Sequence, residues 1–182
     1  MNLPNLLTIL RILLIPFFII ALSYQYQGLA LVVFACAGLT DALDGFIART
    51  FQQKTLIGAY LDPIADKLLL GTSFVTLTVL SFPNKIPFWL TIVIISRDVI
   101  ILLGIAILFM LGKKLVIAPS LLGKSTTFFQ ILIIAVVLLF NYLARPIPQL
   151  ITLLAWITLA VTVVSGLDYL YKGIKLLNEV GM

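Results

Sequence analysis

Six apolar stretches, each about as long as a bilayer's hydrocarbon core is thick, leave this chain few possible folds. They cover residues 5–24, 29–49, 62–82, 87–111, 125–144 and 149–171. A helix needs about 20 apolar residues to cross a core of roughly 30 Å. Spanning β-strands would run about ten residues with alternating polarity, and the segments show no such alternation. The links are short, and no pair of segments repeats. The expected fold is all-α: an integral membrane bundle of six transmembrane helices, forming a single domain over residues 1–182. Composition agrees, with 62% hydrophobic and 10% charged residues and a mean hydropathy of +1.21, whereas soluble domains are roughly 25% charged.

The first stretch resembles a signal peptide in length, and Ala21-Leu22-Ser23 loosely fits a cleavage site. Nothing basic precedes Arg11, however, and Arg11 interrupts the apolar run, so the segment reads as a retained helix. Pro4 suits its first turn, and Pro16 is expected to kink it. Basic residues orient the bundle. With a cytoplasmic N-terminus, Arg49, Lys54, Lys67, Lys113, Lys114, Lys124, Lys172 and Lys175 gather inside, and only Lys85 and Arg145 lie outside. This positive-inside bias puts both termini and the 50–61 loop in the cytoplasm.

Two scarcities narrow the chemistry. The chain has no His and one Cys, Cys36. That rules out a Ser-His-Asp triad, a histidine proton relay and a zinc site of the usual nitrogen and sulfur type. Any bound metal must be held by oxygens, which suits Mg²⁺, Mn²⁺ or Ca²⁺. A general base must be a carboxylate, a lysine or a tyrosine.

Of seven acidic residues, four lie within 26 positions. Asp41 and Asp44 are three apart near the end of the second stretch, followed by Gly45, Ala48 and Arg49. Asp62 and Asp66 are four apart at the start of the third, after Gly58. Spacings of three and four keep each pair on one helical face. Antiparallel neighbours would bring all four to one depth near the cytoplasmic interface. Four clustered carboxylates repel unless protonated or bound to cations, and hard divalent ions fit them. The glycines and Ala48 leave room for a ligand to approach the backbone. Arg49 supplies a fixed cation for phosphate oxygens. Together these residues describe a metal-assisted phosphate or diphosphate site. Helix capping would use one or two of the acids, such as Asp62 before Pro63, but not four. An ion path through the membrane is the competing use of intramembrane acids.

As a string, residues 41–66 read D-x₂-D-G-x₂-A-R-x₈-G-x₃-D-x₃-D. This resembles the signature of the CDP-alcohol phosphatidyltransferases, membrane enzymes of phospholipid synthesis with six-helix bundles, at all eight fixed positions. The N-terminal Leu3-Pro4-Asn5-Leu6-Leu7-Thr8-Ile9-Leu10-Arg11 and the later Ser165-Gly166-Leu167-Asp168-Tyr169 are similar to segments of bacterial phosphatidylglycerophosphate synthases. Ser96-Arg97-Asp98 resembles both that subgroup and the cardiolipin synthases of the family.

The resemblance implies that CDP-diacylglycerol donates a phosphatidyl group to an alcohol and that CMP leaves. It implies two Mg²⁺ or Mn²⁺ ions held by Asp41, Asp44, Asp62 and Asp66, with Asp66 also the base. Gly45, Ala48, Arg49 and Gly58 would line the CDP site, joined by Asn5 and Thr8; Arg97 and Lys124 would meet the acceptor. It further implies a bacterial cytoplasmic membrane, no nucleic-acid partner and a homodimer. sn-Glycerol 3-phosphate is the expected acceptor, with phosphatidylglycerol as the alternative. The subgroup's Gly-Lys-x-Lys-Thr pattern reads Gly123-Lys124-Ser125-Thr126-Thr127 here, and no second Arg follows Arg97-Asp98. A near-dianionic phosphate wants more than one cation, so both departures lean toward the lipid acceptor. Lys113 and Lys114 read as interfacial anchors. Trp89, Trp156, Tyr24 and Tyr26 read as packing or belt residues, and Cys36 as a small apolar residue.

Overall fold

A computed structural model describes the backbone of residues 3–50, 56–110 and 121–178, and the side chains of 6–40, 64–104 and 121–173. The described residues form six helices and no strand: α1 (Leu3–Ser23), α2 (Gln27–Thr50), α3 (Leu56–Val79), α4 (Phe88–Met110), α5 (Leu121–Tyr142) and α6 (Pro148–Asn178). Three are long and apolar enough to cross a membrane over their described residues, at Leu6–Ser23, Leu121–Tyr142 and Pro148–Gly173. α1 continues through Pro16 without a break. Two boundaries differ clearly from expectation: α6 runs on to Asn178 rather than 171, and α3 starts at Leu56 rather than 62. Hydropathy dates a helix from its first sustained apolar run, whereas backbone hydrogen bonding needs only helix-compatible residues. Asp62 therefore lies inside α3 and is not its N-cap. Lys54, Lys113 and Lys114 lie outside the described residues.

The usual surface pattern is inverted. On α1, Leu13 and Phe17 are exposed while Thr8 and Arg11 are wholly buried. Ser73, Thr91, Thr126, Gln130, Thr158, Thr162 and Ser165 are buried as well. Several hydroxyls satisfy themselves within their own helix, as Ser73 does by donating to the Leu69 carbonyl at 2.7 Å and Thr158 to that of Leu154. Polar groups inside and apolar ones outside are what a hydrocarbon solvent selects.

The chain divides into two compact units. In the first (Met1–Lys85 with Ile134–Pro148), α1 packs on α2 and α3, and the rings of Phe18 and Phe34 lie 6.0 Å apart. α1 ends in a Schellman turn. Gln25 takes φ 63°, and the Tyr26 and Gln25 N–H groups donate to the carbonyls of Ala21 and Leu22. α5 ends the same way at Ala144, φ 51°, with Arg145 and Ala144 donating to Phe140 and Asn141. Two buried asparagines tie the loops of this unit. The Asn84 N–H donates to Asn141 Oδ1, and Asn141 Nδ2 donates back to the Asn84 carbonyl. The Asn84 amide donates to the Arg145 carbonyl and accepts from the Ile147 N–H.

The second unit is Ile86–Ile133 with Gln149–Met182. Here Trp89 stacks obliquely on Trp156, with centroids 5.1 Å apart, and Arg97 bonds Ser165. The first pair is separated by 67 positions and the second by 68, so α4 and α6 run parallel in near-constant register. Buried Thr126 of α5 reaches the Val161 carbonyl of α6.

Candidate active site

The signature falls on two consecutive helices that both pack on α1. Asp44 stands six residues before the end of α2, and Asp62 six residues after the start of α3. Asp41 and Asp66 stand nine and ten residues from those same ends. At 1.5 Å per residue this puts one aspartate of each helix about 9 Å, and the other about 14 Å, from the link at 51–55. The four aspartates thus pair off along the two backbones by their distance from the link. The side chains of Asn5, Asp41, Asp44, Gly45, Ala48, Arg49, Gly58 and Asp62 lie outside the described ones.

Asp66 is the one signature aspartate whose side chain is described. It is 41% exposed, and its Oδ1 accepts a hydrogen bond from Arg11 Nη1, closing an ion pair between α3 and α1. Arg11 is wholly buried, as is Thr8 one turn earlier. The sequence reading assigned Arg11 no role in the site. A signal for one was present, because Asn5, Thr8 and Arg11 recur every three residues and so share a face of α1. That spacing extends the two residues assigned to the CDP site by a buried cation bonded to the assigned base.

In the second unit, Arg97 is well provided with partners. Its Nη1 donates to Asp98 Oδ1 at 2.8 Å and its Nη2 to Ser165 Oγ at 2.8 Å. Its guanidinium carbon lies 5.5 Å from the Tyr169 ring centroid. The internal ion pair with Asp98 is therefore real. Lys124, the fourth residue of α5, is exposed. Asp168 pairs with Lys172 one turn on, at 2.7 Å. Cys36 is a free, exposed thiol. Trp89 and Trp156 are the packing pair described above, while Tyr24 and Tyr26 are exposed.

The donor set suits a hard divalent cation. The signature supplies four carboxylates on two helices that both pack on α1, and the chain contains no His to compete. No group of three or more candidate metal-ligating side chains occurs among the described residues, since Asp66 alone of the four falls there.

A family model described as CDP-alcohol phosphatidyltransferase matches residues 1–164. The chain is 33% identical over 181 residues to the probable phosphatidylglycerophosphate synthase of Mycobacterium tuberculosis strain H37Rv, covering 96% of this chain and 82% of that one. It is also 33% identical over 190 residues to the CDP-diacylglycerol–glycerol-3-phosphate 3-phosphatidyltransferase of Bacillus subtilis, covering 94% of both. Against the Haemophilus influenzae protein of that name, identity is 40% over 137 residues and 72% of each chain. A family match running from residue 1 into α6, with relatives 33% identical over nearly the whole chain, establishes that this chain belongs to the CDP-alcohol phosphatidyltransferase family.

Proposed function

We propose that this protein is a phosphatidylglycerophosphate synthase, transferring the phosphatidyl group of CDP-diacylglycerol to sn-glycerol 3-phosphate with release of CMP. The observation that carries this reading is the intact signature on two helices that pack on α1, with Asp66 held by Arg11. The names of relatives similar over nearly the whole chain support the choice of acceptor, and the extent of the family match supports one catalytic domain.

Asp41, Asp44, Asp62 and Asp66 would hold two divalent ions, Mg²⁺ or Mn²⁺. When bound, such ions neutralise charge on the donor's diphosphate and on departing CMP. Asp66 accepts the proton of the acceptor hydroxyl as its oxygen bonds to the phosphatidyl phosphorus and the bond from that phosphorus to CMP breaks. Arg11 keeps that carboxylate in place. Asn5, Thr8, Gly45, Ala48, Arg49 and Gly58 line the CDP site, where the small residues admit the nucleotide and Arg49 meets phosphate oxygens. Arg97 and Lys124 bind the acceptor's phosphate. The inverted polarity supports a membrane bundle, and the distribution of basic residues supports termini and carboxylates on the cytoplasmic side; six spanning helices in a bacterial cytoplasmic membrane, assembled as a homodimer, complete the proposal.

Phosphatidylglycerol is the second acceptor reading, favoured by Ser125 in place of a second lysine and by Asp98 already countering Arg97. Purified protein given CDP-diacylglycerol, Mg²⁺ and each acceptor separately decides between them. Phosphatidylglycerophosphate, identified by mass, is the expected product. Cardiolipin made only from phosphatidylglycerol would reverse the order of the acceptors. Leakage of Mg²⁺ from vesicles without CMP release would favour an ion path instead.

A further inference from the structure

We propose that Ser165, Gly166 and Tyr169 of α6 form a cradle that fixes the direction of the Arg97 guanidinium and thereby sets the affinity for a phosphorylated alcohol acceptor; this rests on the acceptor reading above. The three residues occupy little more than one turn of α6, and each touches a different part of one arginine. Ser165, wholly buried, accepts from Nη2 at 2.8 Å. Tyr169 presents its ring to the guanidinium, 5.5 Å from centroid to carbon. A Cβ on Gly166 would stand 3.3 Å from Arg97 Cγ, a tight contact, so the glycine leaves room for the aliphatic stem to lie close against α6.

Charge neutralisation does not explain this arrangement. Asp98, adjacent in sequence, already counters the charge at 2.8 Å, and an ion pair on one helix needs nothing from another. What the α6 contacts add is direction, because edge, face and stem are each held. A planar fork recognises phosphate oxygens through parallel N–H bonds only when its plane is fixed. Asp98 and Ser165 use two of the five guanidinium N–H groups, and each Nη retains a second hydrogen. The constant register of α4 and α6, kept from the Trp89–Trp156 pair to Ser165, keeps the cradle opposite the arginine. Ser165, Gly166 and Tyr169 are thus positioning residues, acting through Arg97.

The test measures the KM for glycerol 3-phosphate with saturating CDP-diacylglycerol and Mg²⁺ in the purified full-length enzyme. Ser165→Ala and Tyr169→Leu are expected to raise it about tenfold, and Gly166→Ala about threefold, with the KM for CDP-diacylglycerol unmoved. Tyr169→Phe keeps the ring and should recover most of what Tyr169→Leu loses. Arg97→Lys, which keeps the charge but loses the fork, should raise the same KM more than tenfold. If Arg97→Lys raises it while the α6 variants do not, the cradle is wrong and the acceptor reading stands. If Arg97→Lys leaves it unchanged, Arg97 does not meet the acceptor and the cradle falls with that role, while absence of any turnover of glycerol 3-phosphate would overturn the acceptor reading and the cradle with it. A uniform loss of kcat and thermal stability across the α6 variants, Tyr169→Phe included, would make the segment mere packing and overturn the proposal.

Discussion

Arg11 and Asp66 share one ion pair but not one environment. The arginine is wholly buried, while the aspartate is 41% exposed. Most of the desolvation penalty therefore sits on the cation. Removing Asp66 leaves that cation in the interior; removing Arg11 leaves a carboxylate that water already reaches. Asp66→Asn should accordingly lower stability more than Arg11→Met, which replaces a buried charge with an apolar side chain of similar length. Thermal unfolding in detergent measures the order of the two. In turnover, Asp66→Asn should lose at least about a thousandfold in kcat if the carboxylate takes the proton. Full turnover in that variant would remove Asp66 from the role of base.

The helices themselves were largely legible. Six apolar runs marked six helices, because spanning length and hydropathy are properties of contiguous sequence. The loop lock was not legible. Asn84 and Asn141 are 57 positions apart, in segments whose composition gives no sign of a partner. Only the fold shows that Asn84 has its backbone N–H and carbonyl on Asn141 and its side chain on Arg145 and Ile147. Asn84→Ala would strand buried polar groups and should lower stability by about 2–3 kcal/mol, again read by thermal unfolding. The turns after α1 and α5 predict the opposite sign. Gln25 and Ala144 hold left-handed conformations that a side chain makes unfavourable. Ala144→Gly relieves that strain while keeping the backbone N–H that donates to Asn141, and should raise stability by up to about 1 kcal/mol.

Over the whole molecule, the family was more legible than the contacts that support its candidate site. Eight fixed positions in residues 41–66 specify a family because metal binding and diphosphate binding each demand particular residue types at helical spacing. What escaped were the partnerships: Arg11 meets Asp66, and Arg97 meets Ser165, across 55 and 68 positions, on another helix in each case. The central claim is that the signature carboxylates bind divalent ions and transfer a phosphatidyl group. Its most direct test is CMP release from CDP-diacylglycerol and glycerol 3-phosphate, followed across a Mg²⁺ titration in wild type and Asp62→Asn. Release should vanish on chelation, return with Mg²⁺ or Mn²⁺ but poorly with Zn²⁺, and fall by at least about a hundredfold in Asp62→Asn at saturating metal. Release that survives chelation, or an Asp62→Asn enzyme as active as wild type, would contradict the claim.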